Sequence, residues 1–287
     1  MLPFEIYRKK EQRYDSKAQT VGCGFSGAVI SDVGCMRKRN EDNFAFEKNM
    51  NRDSVDRCQI DVSYSGFSKQ WHVACVFDGM GGGEMGDAAS KHTAEIFLNN
   101  VNGLTISQAR AEIDLILRKA FLEANNHIIS LRGESSILGT TATVFCTNGT
   151  ECKVYYLGDS RAYLAREEEL LQLTKDQTLA QMKIDAGIYR QDDPQVQVDK
   201  HKLTDFIGRD RTRENIKPEE SPWFPIQKGD RILLCSDGLS NMCTDGEISG
   251  ILYEASSAAD AAERLVSAAK ANGGEDNITC IVIFFVK

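Results

Sequence analysis

The sequence is poor in histidine, lacks paired cysteines and has no excess of positive charge. Its 287 residues include four histidines, which form no HxH or HExxH pattern, and this argues against a zinc site. None of the nine cysteines stands in a CxxC pair, a distribution typical of a reduced, cytoplasmic protein rather than a disulfide framework. The formal net charge of −8 argues against non-specific nucleic-acid binding, which needs clustered Lys and Arg.

Long apolar segments are also missing. The opening stretch MLPFEIYRKKEQR lacks the apolar core of a signal peptide. The late run ITCIVIFFVK is too short to span a bilayer, so we expect no membrane segment. No repeat and no linker rich in Pro, Gly or Ser divides the chain. These absences predict one domain over residues 23–287, preceded by a polar N-terminal extension over 1–22.

Apolar residues recur with the periods of strands and helices in separate blocks. Helical patterns cover about 85–100 and 107–131, and the capping patterns Thr244-x-x-Glu247 and Ser257-x-x-Asp260 open two more helices. Strands are predicted at 25–31, 43–47, 58–64, 71–77, 141–147, 152–157, 161–167, 169–174, 231–235 and 278–286. Residues 176–222 are polar and irregular, and they predict a surface flap with one short helical piece. Blocks of strands and helices, rather than strict alternation, favour an α+β fold.

A glycine-rich stretch, VFDGMGGGEMGD, contains Gly81-x-Gly83-x-x-Gly86, a pattern shared with dinucleotide-binding loops. Such a fold needs a strand after the glycine-rich helix and an acidic residue about 20 positions further on. Here a second helix follows the first, and residues 101–104 are Val-Asn-Gly-Leu. Asp78 would also repel a pyrophosphate, so the pattern does not support a nucleotide site.

Acidic residues follow the predicted strands repeatedly. Asp78, Asp159 and Asp237 each come directly after an apolar run or close behind one. Asp276 precedes the last strand, and Glu41 and Asp42 precede an early strand. Each alone is an ordinary turn residue. If the strand ends gather at one edge of the core, however, the carboxylates come together and repel one another by several kcal/mol per pair, roughly 4 at 4 Å. Hard oxygen ligands without His or Cys point to Mg²⁺ or Mn²⁺.

Six ordered motifs now identify a family. SDVGCMRKRNEDN, FDGMGGG, LGTTAT, LGDSRAYL, LCSDGLSN and GGEDNIT, covering about residues 31–285, resemble the metal-dependent serine/threonine phosphatases of the protein phosphatase 2C (PPM) family, most closely its bacterial members. The resemblance implies an α-β-β-α sandwich, in which two antiparallel sheets pack face to face between outer helices. It also implies a two-metal centre at one edge of the sandwich.

The site residues carry over from the motifs one by one. The resemblance implies that Asp78 bridges two Mn²⁺ or Mg²⁺ ions and that Gly79 contributes its backbone carbonyl. The other metal ligands that it implies are Asp237, Asp276 and Glu41, the last directly or through water, with Asp159 and Asp237 holding a weaker third ion. Arg37 would bind the substrate phosphate, because its planar guanidinium can donate two parallel hydrogen bonds. Asp42 and Asn277 would orient these side chains without contacting metal.

The implied reaction is hydrolysis of phosphoserine and phosphothreonine by a water that two divalent ions activate. No cysteine begins a C-x5-R motif, which excludes a cysteine-nucleophile phosphatase. Many eukaryotic members have a histidine directly after the Asp-Gly, where this chain has Met80, and this leaves the proton donor for the leaving group unassigned.

Two alternatives remain open from the residues. A catalytically silent regulator would bind phosphoproteins without turnover, although such proteins usually lose metal ligands that are retained here. A phosphatase dedicated to one regulator is a narrower alternative within the enzyme class. For the main hypothesis we expect a cytoplasmic monomer acting on the protein substrates of Ser/Thr kinases, with no nucleic-acid or membrane partner.

Overall fold

A computed structural model describes residues 23–53, 57–64, 70–81, 85–132, 138–210 and 216–286. The predicted N-terminal extension, 1–22, lies outside the described residues. Among the described residues, no helix is long and apolar enough to cross a membrane.

The first half of the chain contributes two helices between groups of strands. In chain order these elements are β1 (Gly24–Asp32), β2 (Asp42–Phe46), β3 (Arg57–Tyr64), β4 (His72–Met80), α1 (Met85–Val101), α2 (Arg110–Leu131), β5 (Gly139–Thr140), β6 (Ala142–Thr147), β7 (Glu151–Leu157), β8 (Arg161–Arg166) and β9 (Glu169–Gln172). The second half begins with the flap and ends in a strand. Its elements are α3 (Leu179–Asp185), α4 (Pro194–Asp199), β10 (Glu219–Glu220), β11 (Phe224–Pro225), β12 (Arg231–Cys235), α5 (Asp237–Ser240), α6 (Asp245–Glu254), α7 (Ala258–Ala271) and β13 (Ile278–Val286).

The strands form two antiparallel sheets. One sheet has the order β3-β1-β13-β12-β8-β9. The other has the order β10-β7-β6-β4-β2, with β11 also on β7 and β5 also on β4. The chain passes between the sheets several times, and one of these connections, residues 158–160, joins β7 of one sheet to β8 of the other.

Three apolar clusters bury both faces of both sheets. In β4, Ala74 and Val76 face a cluster between the two sheets, whereas the alternate residues Val73, Cys75 and Phe77 face α1 and α2. The two-residue period of a strand explains how one apolar run serves both clusters. A third cluster joins α6 and α7 to the outer face of the other sheet. The layers are therefore α-β-β-α, and the predicted α+β sandwich is confirmed.

The elements differ from the prediction mainly in the flap. Residues 176–222 contain a second short helix, α4, which begins at the N-cap Asp193 with Pro194 as its first residue. This pair is a helix-start signal that the flap's polar composition masked. The last flap residues also join the sheet, because Glu219 and Glu220 pair with β7. Helix α2 begins at 110 rather than 107, because the residues just before it form a separate turn. In that turn Thr105 N donates to Gln108 Oε1, and Gln108 N donates to the Thr105 carbonyl.

Candidate active site

A cavity of about 910 Å³ opens at the edge of the sandwich where the candidate residues meet. Antiparallel pairing brings the C-terminal ends of β4, β7 and β12 and the N-terminal ends of β2, β8 and β13 to this edge. The cavity is lined by Arg37, Lys38, Arg39, Glu41, Asp78, Gly79, Met80, Gly81, Thr141, Asp159, His201, Lys202, Leu203, Phe206, Asp237 and Asp276. Every residue predicted to bind metal or phosphate lies in this lining.

The backbone of Asp78 is held by a pair of threonines. Its N–H donates to Thr141 Oγ1 at 3.0 Å, and its carbonyl accepts from Thr140 Oγ1 and Thr141 N at 2.9 Å each. Thr141 is fixed in turn by Ser160, at 2.7 Å between the hydroxyl oxygens. Since Ser160 follows Asp159, these hydroxyls tie the ends of β4 and β7 together.

Gly79 lies where only a glycine fits. A Cβ at this position would stand 2.2 Å from the Gly86 carbonyl oxygen and 2.5 Å from that of Glu41. The glycine-rich stretch thus lets the start of α1 approach the end of β4, rather than cradling a pyrophosphate. The Glu41 carbonyl also accepts from Ser90 Oγ of α1 at 2.6 Å.

Asp42 is buried behind the cavity and is opposite Asp78 in the β2–β4 pairing. Ser236 Oγ donates to Asp42 Oδ2 at 2.7 Å, and the same hydroxyl accepts from Thr279 N at 3.0 Å. Asp42 therefore connects β2 to the turn that carries Asp237.

Asn277 holds the loop before β2 with its amide group. Its Oδ1 accepts from Glu41 N at 2.8 Å, and its Nδ2 donates to the carbonyls of Val33 and Arg39 at 3.0 and 2.8 Å. Gly34 lets this loop pack closely against the backbone of Asp276, because a Cβ at residue 34 would stand 2.1 Å from the Asp276 carbonyl oxygen.

Arg37 reaches across this loop to the Asp276 side chain. Its Nη2 donates to Asp276 Oδ2 at 2.6 Å, and both side chains are partly exposed, at 50% and 36%. Asp276 Oδ1 accepts from the backbone N–H of Asn277 at 2.8 Å. The predicted phosphate ligand and a predicted metal ligand are therefore paired with each other.

The flap forms the remaining wall. His201, Lys202, Leu203 and Phe206 line the same cavity as Arg37, Lys38 and Arg39. The flap is joined to the Asp159 turn, because Gln177 N donates to the Gly158 carbonyl at 3.0 Å and Gly158 N donates to Gln177 Oε1 at 2.7 Å.

Burial, together with mutual repulsion, raises the pKa of the carboxylates in and behind the cavity. Burial, followed by the charges of neighbouring aspartates, raises the pKa of Asp78 and of Asp159 well above the usual range. Burial and then Asp276 raise the pKa of Asp237, and a hydrogen bond with the Asp78 side chain opposes that rise. Burial raises the pKa of Asp42 to about 7. A cation in the cavity would relieve this repulsion.

The donor set fits hard divalent ions. The lining contains carboxylate oxygens and a backbone carbonyl. The carboxylates belong to Glu41, Asp78, Asp159, Asp237 and Asp276, and the carbonyl belongs to Gly79. Within the described part of the chain, no three His, Cys, Asp or Glu side chains are arranged to hold an ion by themselves. The carboxylates line an open cavity, so an ion there would complete its coordination with water, as Mg²⁺ usually does.

Some residues of the cavity lining, and one beside it, were not singled out from the sequence. Thr141 lies within the motif LGTTAT, but a hydroxyl that supports a neighbouring backbone has no signal of its own. Asn241 donates to Asp237 Oδ2 at 2.9 Å, and its position four residues after Asp237 in a helical segment is the available signal. His201 and Lys202 come from the flap, whose fold the composition did not predict.

Comparisons with known proteins identify the family and relatives of this chain. The protein phosphatase 2C family matches residues 28–183, which is more than half of the chain. The serine/threonine phosphatase stp of Listeria welshimeri serovar 6b is 30% identical over 257 residues, covering 88% of this chain and 93% of that protein.

Solved structures share the fold. The S. agalactiae serine/threonine phosphatase matches with a TM-score of 0.76 at 24% identity, covering 92% of this chain and 100% of that one. The catalytic domain of the serine/threonine protein phosphatase PstP, in complex with 2 manganese ions, matches with a TM-score of 0.70 at 28% identity, covering 92% and 99% of the two chains. This chain belongs to the protein phosphatase 2C family.

Proposed function

We propose that this protein is a metal-dependent serine/threonine phosphatase that hydrolyses phosphoserine and phosphothreonine on proteins. The observation that carries the proposal is the convergence of Asp78, Asp237 and Asp276, from three separate strand ends, on one cavity with Arg37 beside them. Membership of the protein phosphatase 2C family supports the same reaction.

The oxygen donors of the cavity would hold two Mn²⁺ or Mg²⁺ ions. The proposed ligands are Asp78, the Gly79 carbonyl, Asp237, Asp276 and Glu41, with Asp159 and Asp237 for a weaker third ion. When bound, such a pair of ions activates water as the nucleophile and neutralises charge on the phosphoryl group.

The protein's own residues set the geometry around that chemistry. Arg37 is proposed to leave Asp276 and bind the phosphate dianion, for which its fork of donors is suited. Asp42 and Asn277 are proposed to keep the strand ends in place, through Ser236 and through the backbone of Glu41. Thr141 fixes the Asp78 backbone, which is proposed to limit how far the residue must reorganise during turnover.

The proposed setting is the cytoplasm, where protein substrates of Ser/Thr kinases would be dephosphorylated. All nine cysteines lie in the described residues and are free thiols, which is usual in a reducing compartment. One chain supplies every proposed site residue, which is consistent with an active monomer.

Phosphate release from a phosphothreonine peptide, with Mn²⁺ and with EDTA, tests the proposal. We expect turnover only with the metal, and a stabilisation of about 2.7 kcal/mol at 100 times the Mn²⁺ dissociation constant. Asp237→Asn should abolish most turnover and reduce the stabilisation, whereas Asp192→Asn, on a side chain that is 81% exposed, should change neither. Full activity in EDTA would refute the metal site, and phosphopeptide binding without turnover would favour the silent regulator.

A further inference from the structure

The flap wall of the cavity is held in a defined position. Residues 200–203 follow α4, and the carbonyl of Lys202 accepts from Leu179 N at 2.8 Å. Lys202 Nζ also donates to Asp199 Oδ1 at 2.8 Å, and Asp199 is itself buried and bonded to Lys183 of α3 at 2.6 Å. This segment is therefore a fixed part of the wall that a substrate would meet, rather than a trailing loop.

A chain of two hydrogen bonds joins this segment to the carboxylate cluster. Lys200 Nζ donates to Asn241 Oδ1 at 3.3 Å, and Asn241 Nδ2 donates to Asp237 Oδ2 at 2.9 Å. The backbone of Asn241 is anchored as well, because its N–H donates to the Asp237 carbonyl at 2.7 Å. Asn241 thus lies between the flap and a proposed metal ligand.

Both neighbours determine which way the Asn241 amide points. An ammonium group only donates hydrogen bonds and an ionised carboxylate only accepts them, so Oδ1 must face Lys200 and Nδ2 must face Asp237. Rotating the amide by 180° would lose both bonds. The orientation of the Asp237 carboxylate and the position of the flap lysine are therefore linked through one rigid amide.

We propose that Asn241 is a positioning residue that couples the flap to the Asp237 carboxylate. The coupling rests on the proposed function, in which Asp237 is a metal ligand. A cation on Asp237 fixes that carboxylate and, through Asn241 and Lys200, favours the flap position in which His201 and Lys202 line the cavity. By reciprocity, a phosphopeptide that holds the flap there strengthens metal binding.

Hydrogen–deuterium exchange of residues 196–203 tests this coupling directly. The amides of Lys200 and Lys202 are bonded to the carbonyls of Val196 and Asp199, so their exchange reports opening of this segment. We expect saturating Mn²⁺ to slow their exchange roughly two- to five-fold in the wild type, a range set by the small coupling of exposed polar contacts. In Asn241→Leu the metal should leave their exchange unchanged.

Calorimetric Mn²⁺ titrations of matched variants supply a second measurement. Asn241→Leu should weaken Mn²⁺ binding about 10-fold, which is typical of losing a group that orients a metal ligand. Lys200→Met breaks the bond to Asn241 but also removes a positive charge near Asp237, and loss of that charge by itself favours Mn²⁺ binding. Lys200→Arg keeps the charge and should bind Mn²⁺ like the wild type. The change in Mn²⁺ affinity caused by Lys200→Met should therefore be about two-fold less favourable in the wild-type background than in Asn241→Leu, where the connection is already broken and only the charge effect remains. The controls Asn126→Leu and Lys228→Met replace exposed residues outside the cavity lining.

The outcomes separate this inference from the proposed function. If the wild type binds no Mn²⁺, the proposed function fails, and the inference fails with it. If the wild type binds Mn²⁺ but its flap exchange does not respond, the function stands and the coupling is wrong. Equal effects of Lys200→Met in both backgrounds, or wild-type Mn²⁺ affinity in Asn241→Leu, would also overturn the coupling.

Discussion

Arg37 and Asp276 form an ion pair at 2.6 Å across the mouth of the cavity. The guanidinium neutralises a carboxylate that is a proposed metal ligand, so it opposes cation binding in the free protein. The same guanidinium is the proposed phosphate ligand. Metal binding at Asp276 and release of Arg37 toward the substrate are therefore expected to accompany each other.

Arg37→Met should consequently separate metal affinity from turnover. We expect Mn²⁺ to bind about two- to five-fold more tightly, because a partly exposed ion pair contributes at most about 1 kcal/mol. We expect kcat/KM for a phosphopeptide to fall roughly 10- to 150-fold, the value of a hydrogen bond to a charged group. Arg37→Lys should recover only part of the activity, because the bidentate fork is lost.

Calorimetric Mn²⁺ titration and steady-state kinetics of the three proteins check this prediction. Lys228→Met, at an exposed lysine outside the cavity, serves as the charge control. Unchanged turnover in Arg37→Met would mean that the guanidinium has no role beyond its contact with Asp276.

The buried carboxylates predict how pH affects the metal-free protein. Burial raises the pKa of Asp42 to about 7, so the folded state binds this proton more tightly than the unfolded state does. The resulting stabilisation is complete below the ordinary carboxylate pKa of about 4 and is lost as pH rises through about 7. The melting temperature in EDTA should therefore fall between pH 5 and 8, and Mn²⁺ should reverse much of the fall.

Asp42→Asn isolates this contribution, because the amide oxygen can still accept from Ser236 but does not titrate. Its melting temperature should depend less steeply on pH than that of the wild type. Asp192→Asn, at an exposed position, should keep the wild-type slope. If Asp42→Asn and the wild type show the same slope, Asp42 does not titrate in this range.

Asn277 should be important for folding as well as for the site. Asn277→Ala removes three hydrogen bonds to the loop before β2, and it leaves the Glu41 N–H without its acceptor. We expect a loss of roughly 2–4 kcal/mol in the free energy of unfolding, measured by urea denaturation without metal. Asn126→Ala, at an exposed position of α2, should cost less than about 0.5 kcal/mol. A loss that small in Asn277→Ala would contradict the proposed role.

Sequence patterns predicted the long elements because their apolar periods are local. The short apolar run HVACVF and the helical spacing in 107–131 each carry their own signal. The two-residue strands β5, β10 and β11 carry none, because they exist only through their partners. Residues 79–80 were left out of β4 for the same reason, since they pair with β5.

The candidate site, like the fold, could be predicted only in part from the sequence. The motifs predicted Asp78, Asp237 and Asp276 as metal ligands, but their convergence depends on sheet order, which local spacing does not determine. The Arg37–Asp276 contact and the flap wall at His201 depend on side-chain placement across distant segments. These features required the folded chain.

Met80 is the last residue of β4 and lines the cavity directly after Asp78 and Gly79. A thioether cannot protonate a leaving group. The alkoxide that leaves phosphothreonine is strongly basic and needs a proton in the transition state, whereas an aryl phosphate releases a weakly basic phenolate. Met80→His should therefore raise phosphopeptide hydrolysis more than aryl-phosphate hydrolysis. A positioned general acid raises the rate by about 10²- to 10⁴-fold where proton donation is limiting.

Profiles of kcat/KM against pH, for both substrates in both proteins, check this expectation. The gain should appear with the peptide and should decline as pH rises through the ordinary histidine pKa, about 6.5, because only the protonated imidazole donates. Each protein is also made with His201→Gln, which removes the flap imidazole of the same cavity from the profile. Equal changes for the two leaving groups, with or without His201, would mean that residue 80 does not reach the leaving oxygen.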